Sequence, residues 1–259
     1  MHVITTAVLG LLVGSFLNVV VWRVPRGESV VRPPSACPAC SRPIRRRDNV
    51  PVVSWLLLRG RCRDCSAPIS ARYPLVEAAT AAAFALVAWR LGATWELPAY
   101  LWLTGACVAL VLIDLDVHRL PDAIVLPSYP VVVWLLVVAT LAPSGAAEWG
   151  DLARAGAGGA ILFAAYFVMA VAYPGGMGFG DVKLAGLLGV GLAWLGWGSL
   201  VVGGFAAFLL GGLYSLGLLA LRRAGRGTGI PFGPWMVAGG AVGVAVGEPL
   251  WRAYLGLLT

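Results

Sequence analysis

Long apolar segments alternate with short polar ones along almost the whole chain. Windows of about 20 apolar residues, the length that crosses a bilayer as a helix, define eight candidate transmembrane helices near residues 3–22, 74–92, 98–115, 121–142, 152–173, 180–196, 198–221 and 233–257. The boundary between the sixth and seventh is the weakest, because WLGWGSL offers only a tight glycine turn. The pattern predicts an all-α, polytopic membrane protein, and no internal repeat is evident.

One polar stretch is too long to be a simple connection between spans. It predicts three parts: a first transmembrane helix at 1–22, a loop domain at 23–73, and a membrane domain with seven helices at 74–259. The first apolar segment lacks a basic region before it and a small-residue cleavage site after it. We therefore expect a retained span there and not a removed signal peptide.

Composition agrees with the membrane class. Of the 259 residues, 59% are hydrophobic and 12% are charged, whereas about 25% are charged in a typical soluble domain. A soluble core cannot bury that much apolar surface, so composition excludes an ordinary soluble enzyme.

The positive charge is concentrated beside the spans. The net charge is +7, and eleven of the nineteen Lys and Arg residues lie within residues 23–73. With the N-terminus outside, sixteen basic residues face the cytoplasm and three face the other side, which predicts that orientation. Contact with anionic membrane lipid is a secondary role. Nucleic-acid binding is not predicted, because no aromatic and basic platform accompanies the charge.

The polar stretch contains four cysteines in two CxxC pairs. Cys37, Cys40, Cys62 and Cys65 form C-x2-C-x21-C-x2-C, which is close to the spacing of zinc ribbons. Four thiolates complete a tetrahedral Zn²⁺ shell without an open position, so this metal is expected to be structural. Two disulfides are the alternative, which a cytoplasmic loop disfavours. A redox CxxC is a third possibility but lacks a βαβ context.

Two aspartates at predicted span ends are the candidate reactive groups. Asp114 ends the third span and Asp181 begins the sixth, so both are expected at the cytoplasmic edge of the bilayer, where water lowers the cost of a carboxylate. Two adjacent carboxyl groups share a proton and can work as general base and acid. An aspartyl peptidase, a proton relay and a structural buried pair all fit. Gly178 and Gly180 would let a substrate backbone approach.

Other polar residues receive structural interpretations. Asp116 should point away from Asp114 on a helix, and Asp122 begins a helix, where capping suffices as its role. Glu77 could pair with Arg72 or serve a site. The remaining acids of the loop domain are expected on a solvated face: Glu28, Asp48 and Asp64. His2 and His118 have no Ser or Cys partner pattern and no HExxH occurs, so serine-type and zinc-peptidase chemistry are not supported.

The order of these motifs resembles the type IV prepilin peptidases, which are also prepilin N-methyltransferases. The resemblance covers nearly the whole chain and rests on the four-cysteine loop and on GSFLNVVVWRVPRG (14–27), DNVPVVSWLLLRGRCRDC (48–65), ISARYPLVE (69–77), IDLDVHRLPD (113–122), MGFGDVKL (177–184) and IPFGP (230–234). It implies a GxGD-type aspartyl peptidase of the inner membrane whose catalytic pair falls on Asp114 and Asp181.

The resemblance also implies substrates and a cofactor. The family removes a short basic leader from prepilins and pseudopilins, after a glycine, and then methylates the new N-terminal amine with S-adenosylmethionine. Some relatives lack the loop and only cleave, so its presence here favours the bifunctional form. The sequence itself does not locate a methyl-donor site.

Three other functions stay open from the residues alone. The first is cleavage without methylation. The second is a proton-coupled membrane transporter with a zinc regulatory loop, although a carrier should place its acids near the membrane midplane. The third is a non-catalytic assembly protein of a pilus base.

Overall fold

The computed structural model describes residues 1–142, 148–173, 175–221 and 230–258. Eight long helices and one short helix, α2, account for most of this part of the chain: α1 His2–Arg23, α2 Val53–Leu57, α3 Arg72–Leu91, α4 Leu97–Val117, α5 Asp122–Leu141, α6 Trp149–Ala172, α7 Phe179–Leu195, α8 Trp197–Ala220 and α9 Gly233–Gly256. Two single 3₁₀ turns, Val24–Arg26 and Arg46–Asp48, lie in the polar stretch after α1.

The eight long helices correspond to the eight predicted spans, with ends that differ by a few residues. Six of them are long and apolar enough to cross a membrane: α1, α3, α4, α5, α6 and α8. The all-α membrane class is therefore confirmed, whereas eight crossings stay a prediction. Arg222, Arg223 and Arg226, which entered the charge count, lie outside the described residues.

The chain divides into two compact units. The first contains residues 1–97 and 104–109, and the second contains residues 98–103 and 110–259. In the first unit, α1 packs along α3 through two glycines one turn apart. A Cβ added at Gly10 would lie 2.7 Å from Cα of Ala81, and one at Gly14 would lie 2.8 Å from Cα of Glu77. Small residues at this spacing let two apolar helices approach closely.

The second unit is built around α7. Twelve of the 17 residues of α7 are buried, because α5, α6, α8 and α9 all pack against it. The closest approach is to α6, where a Cβ added at Gly189 would lie 2.6 Å from the carbonyl oxygen of Gly158. A helix enclosed by its neighbours in this way has a fixed position, and α7 carries Asp181 in its first turn.

The tight turn between α7 and α8 is held by charged side chains from both neighbouring helices. Arg154 of α6 donates to the carbonyl oxygens of Ala193 and Trp194 at 2.6 and 2.7 Å. Glu248 of α9 accepts from the backbone N–H of Gly198 at 2.8 Å. The positively charged Arg154 side chain thus binds the C-terminal end of α7, and the negatively charged Glu248 side chain binds the N-terminal end of α8. These are the charges that the two helix dipoles favour at those ends.

Candidate active site and metal centre

Asp181 is held at the N-terminal end of α7. Its Oδ2 accepts a hydrogen bond from the backbone N–H of Gly178, the residue that precedes the helix, at 3.0 Å. A carboxylate at the third helical position that binds the N-cap amide is one half of a capping box. The free amides and the dipole of the helix start also stabilise its negative charge. These contacts offset part of the cost of placing a carboxylate beside an apolar helix.

Asp114 lies near the C-terminal end of α4 but binds the start of another helix. Its Oδ2 accepts a hydrogen bond from the backbone N–H of Gly233, the first residue of α9, at 3.0 Å. Asp114 is buried, whereas Asp116 is exposed, so the two acids point apart as expected. Each candidate acid therefore has a helix N-terminus as its partner, α7 for Asp181 and α9 for Asp114.

The second unit brings the two acids into one neighbourhood. Asp114 and Asp181 are close enough to interact electrostatically. Leu120, in the connection between α4 and α5, links their surroundings: a Cβ added at Gly180 would lie 2.9 Å from Leu120 Cβ, and one added at Gly233 would lie 3.3 Å from Leu120 Cδ2. Within the described residues, Oδ1 of each carboxylate accepts no hydrogen bond from the protein.

The two glycines before Asp181 have different neighbours. A Cβ added at Gly178 would meet Oδ2 of Asp181 at 3.4 Å, an ordinary contact, whereas the space at Gly180 is occupied by Leu120. Gly180 is therefore required for packing of the α4–α5 connection against α7. Approach of a substrate backbone at Gly178 and Gly180 stays a prediction.

Lys183 and Asp122 form an ion pair that the sequence did not reveal. Nζ of Lys183 donates to both carboxylate oxygens of Asp122 at 2.7 and 2.8 Å. Lys183 lies two residues after Asp181 and Asp122 lies two residues after Leu120, so the pair joins the starts of α5 and α7. No side-chain capping bond accompanies Asp122 in the described helix. The motifs contain both residues, but nothing in their spacing showed that they meet.

The four loop cysteines converge. Their sulfur atoms all lie within 4.8 Å of one another, and the sulfurs of Cys37 and Cys65 are 3.8 Å apart. In a tetrahedron with metal–sulfur bonds of about 2.3 Å, the sulfur–sulfur distance is about 3.8 Å. No disulfide joins these four cysteines, and backbone N–H groups of Cys40 and then Ala39 lower the pKa of Cys37 to about 7. The cluster can hold a metal ion.

The two CxxC segments are copies of one local structure, contrary to the expectation of no repeat. Both read CxxCSxPI, at residues 37–44 and 62–69. In each copy, the backbone N–H of the first cysteine donates to the carbonyl oxygen of the residue five positions later. The backbone N–H of the serine donates to the carbonyl oxygen of that same cysteine. The serines, Ser41 and Ser66, both have positive φ, at 57° and 58°. Because the unit has eight residues, periodicity over longer windows does not detect it.

Ion pairs of Asp48 and Asp64 tie the two copies together, whereas Glu28 is exposed, as expected for a solvated face. Arg63 donates to both oxygens of Asp48 at 2.7 to 3.0 Å, and this holds the pKa of Asp48 below its usual range. Asp64 accepts from Arg45 at 3.0 Å and from Arg42 at 3.5 Å. Each pair joins a residue of the second CxxC copy to the segment that contains or follows the first.

Glu77 is a buried structural acid of the first unit. Its Oε2 accepts a hydrogen bond from the backbone N–H of Val52 at 2.7 Å. Val52 precedes α2 and has a φ of 61°, an unfavourable conformation for a β-branched residue. Glu77 therefore attaches the short helix of the cysteine loop to the transmembrane helix α3.

These features define a class: an integral membrane protein of apolar helices with a four-cysteine loop and two aspartates brought together at helix ends. Comparison with protein families identifies it further. Residues 8–91 match the bacterial peptidase A24 N-terminal domain, and residues 101–216 match the type IV leader peptidase family. The chain belongs to the type IV leader peptidase family.

The similarity to individual relatives extends over almost the whole chain. A prepilin leader peptidase/N-methyltransferase of Pseudomonas aeruginosa is 39% identical over 277 residues, covering 98% of this chain and 93% of the relative. Proteins of the same name from Aeromonas hydrophila and Neisseria gonorrhoeae are 39% and 38% identical and cover 95% of this chain and 91% of each relative. No solved structure matches this chain. Its family and the six apolar helices indicate an inner-membrane protein.

Proposed function

We propose that this protein removes the leader peptide from prepilins and pseudopilins and then methylates the new N-terminal amine. The observation that carries the cleavage step is the pair of carboxylates, each bound through one oxygen to a helix N-terminus and each without a hydrogen bond from the described residues to its other oxygen. The names of the relatives support the same reaction. They favour a peptidase over a proton-coupled carrier or a non-catalytic assembly protein.

Asp114 and Asp181 act as an aspartyl pair. The two carboxyl groups share one proton, because two neighbouring carboxylates do not both stay ionised. The ionised member removes a proton from a water molecule, which attacks the carbonyl carbon of the scissile bond, while the protonated member donates a hydrogen bond to the carbonyl oxygen. The carbon–nitrogen bond then breaks, and the leaving amine takes up a proton from the pair.

The proposed orientation places the acids at the cytoplasmic edge of the membrane, with the N-terminus outside. The excess of arginine in the loop after α1 supports this arrangement. A prepilin has a basic leader before an apolar helix. When the helix lies among the spans and the leader stays in the cytoplasm, the scissile bond lies at the depth of the two acids.

We propose that the metal of the loop is Zn²⁺, held by Cys37, Cys40, Cys62 and Cys65. Four converging thiols fit a closed tetrahedral shell. The metal supplies folding free energy to a loop of about 50 residues, which has little core of its own. With four protein ligands it has no position for substrate, so no step of cleavage depends on it directly.

The methyl donor, S-adenosylmethionine, is implied by the name of the relatives. The first unit has a cavity of about 320 Å³ beside α1 and the cysteine loop, lined by polar and apolar side chains that include Ser15, Phe16, Arg23 and Asn49. This volume is at the lower end of the range for small-molecule sites. We propose this cavity as the first place to test for donor binding.

The test is cleavage of a purified prepilin in detergent, with mass spectrometry of the product. The wild-type chain should remove the leader and add one methyl group when S-adenosylmethionine is present. Asp114→Asn and Asp181→Asn should each lower cleavage by at least about 10³-fold while the protein stays folded, because asparagine keeps the shape and cannot share the proton. Asp116→Asn is the matched control and should retain most activity. An inactive Asp116→Asn with an active Asp114→Asn would contradict the assignment.

A further inference from the structure

Tyr166 of α6 is a buried residue of the second unit whose aromatic neighbours adjoin the residues that hold the candidate acids. Its side chain is almost fully buried, with 3% of the residue exposed. The ring packs against Phe208 of α8 and Phe232, with centroid distances of 5.3 and 6.3 Å. Phe208 and Phe232 also pack against each other, with a centroid distance of 5.2 Å, so the three rings form one cluster that restrains the tyrosine ring.

The hydroxyl of Tyr166 differs from those of two other tyrosines that contact α7, Tyr100 and Tyr129. Tyr100 donates to the carbonyl oxygen of Gly191 at 2.5 Å, and Tyr129 donates to that of Lys183 at 2.6 Å. Within the described residues, the Tyr166 hydroxyl has no hydrogen-bond partner. A buried tyrosine hydroxyl normally has one. Its partner is therefore water in the free protein, which a polar group of an entering molecule can replace.

The hydroxyl is also open to such a molecule. In the described part of the chain, no fully enclosed side-chain nitrogen or oxygen lacks a partner. The Tyr166 oxygen must therefore retain surface that a water-sized group reaches, even though the rest of the side chain is enclosed. A polar atom in this situation can bind an entering ligand without first breaking a bond to the protein.

The neighbours of Tyr166 place this hydroxyl with the two acids. Phe232, which touches the tyrosine ring, directly precedes Gly233, whose N–H binds Asp114 at 3.0 Å. Phe167, which follows Tyr166 on α6, packs at 6.4 Å against Phe179, two residues before Asp181. Phe163, one turn before Tyr166 on α6, packs at 6.4 Å against Phe179 in the first turn of α7. The tyrosine thus lies level with the start of α7.

We propose that the Tyr166 hydroxyl donates a hydrogen bond to the carbonyl oxygen of the scissile peptide as that oxygen gains negative charge. This inference rests on the proposed peptidase function. No bond to the tyrosine forms or breaks, and its proton stays on the phenol oxygen throughout. The water proton goes to the aspartyl pair, as described above. A preformed donor of this kind strengthens its bond in the transition state and so raises kcat more than substrate affinity.

The test compares Tyr166→Phe with wild type in steady-state cleavage of a prepilin peptide. Phenylalanine keeps the ring that packs on Phe208 and Phe232 and removes only the hydroxyl. We expect kcat to fall about 10²–10³-fold, the usual effect of losing one such donor, and KM to change by less than about twofold. Tyr100→Phe is the matched control: it removes a hydrogen bond to α7 and should lower thermal stability while leaving kcat near wild type.

A second measurement separates catalysis from structure. A prepilin peptide with a hydrated difluoroketone at the scissile position imitates the tetrahedral intermediate. Its affinity should fall in Tyr166→Phe by about the same factor as kcat, because both report binding in the transition state. The affinity of an uncleaved substrate analogue should not change.

Three outcomes overturn the proposal. The first is wild-type kcat in Tyr166→Phe. The second is a loss of kcat that follows a loss of folded protein, with unchanged affinity for the difluoroketone. The third is a wild-type chain that does not cleave prepilin and is indistinguishable from Asp181→Asn. This result would contradict the proposed peptidase function as well as the inference about Tyr166. Cleavage by wild type with an unaffected Tyr166→Phe removes the inference alone.

Discussion

At the residue scale, each candidate acid depends on a glycine whose backbone N–H it accepts. Gly178 binds Asp181 and Gly233 binds Asp114, both at 3.0 Å. At Gly233 a side chain would collide with the acid itself, because an added Cβ would lie 2.7 Å from Asp114 Oδ2. Glycine is needed at this position for close approach, not for an unusual backbone angle.

We therefore predict that Gly233→Ala lowers cleavage strongly. The methyl group displaces the carboxylate of Asp114 or lengthens its bond to the helix start, and a displacement of about 1 Å in a catalytic group can cost about 10²-fold in rate. Gly256→Ala is the control on the same helix, because nothing lies within 4 Å of its added Cβ. Equal activity of the two variants in the prepilin assay would show that Asp114 does not need this contact.

At the element scale, α7 is positioned by polar contacts at both of its ends. The Lys183–Asp122 ion pair joins its first turns to the start of α5. Arg154 binds the carbonyl oxygens of its last turn and also pairs with Asp151 at 2.7 Å. The first contact is beside the candidate acids and the second is at the far end of the helix. Their loss should therefore have different consequences.

Lys183→Met should lower kcat without large loss of stability. Asp122 is 57% exposed in its side chain, so the pair contributes no more than about 1 kcal/mol to folding. The start of α7 that bears Asp181 should nevertheless lose a fixed contact. The charge-reversed double variant Asp122→Lys/Lys183→Asp should recover part of the lost kcat. The ion pair adds a partner to the helix-start role that the sequence suggests for Asp122. Failure of the double variant to exceed either single variant would contradict a role for the pair.

Arg154→Met should have the opposite effect. Two carbonyl oxygens at the end of α7 lose their partner, which costs about 1–3 kcal/mol of stability, while cleavage per folded molecule stays near wild type. Thermal unfolding in detergent and active-fraction measurements would separate the two quantities. Arg252→Met is the control, because Arg252 is 81% exposed and lies 3.8 Å from its partner Glu248. Equal unfolding temperatures for the two variants would show that the turn does not need Arg154.

At the scale of the whole molecule, the metal centre and the candidate acids belong to different units. The cysteines lie in the first unit and both acids lie in the second. Each unit has its own close helix packing, between α1 and α3 in the first and around α7 in the second. Damage to one centre should therefore be separable from damage to the other.

The purified protein should carry about one zinc per chain. Replacing Cys62 and Cys65 by serine should remove it, disorder the loop at 23–73 and impair methylation before it impairs cleavage, because the metal holds a loop that has little other core. Elemental analysis, proteolysis of the loop and the two activities measured on one prepilin provide the readouts. A metal-free wild-type protein whose cysteines resist alkylation until reduced would indicate disulfides.

Some of this protein follows from its sequence alone. Apolar length is a one-dimensional property, so the eight long helices and the membrane class could be predicted from windows of residues. The CxxC spacing likewise predicted the four-cysteine cluster, because each pair of ligands lies within one turn of chain. The candidate acids could be singled out because charge is rare beside apolar segments.

Only the tertiary structure decided how distant residues meet. Asp114 and Gly233 are 119 residues apart, and Lys183 and Asp122 are 61 apart; no local pattern specifies such contacts, because they depend on how helices pack. The same reason explains why Tyr166 could not be distinguished from Tyr100 and Tyr129 in the sequence. All three are aromatic residues on apolar helices, and only packing determines which hydroxyl meets a backbone carbonyl and which is left for a ligand.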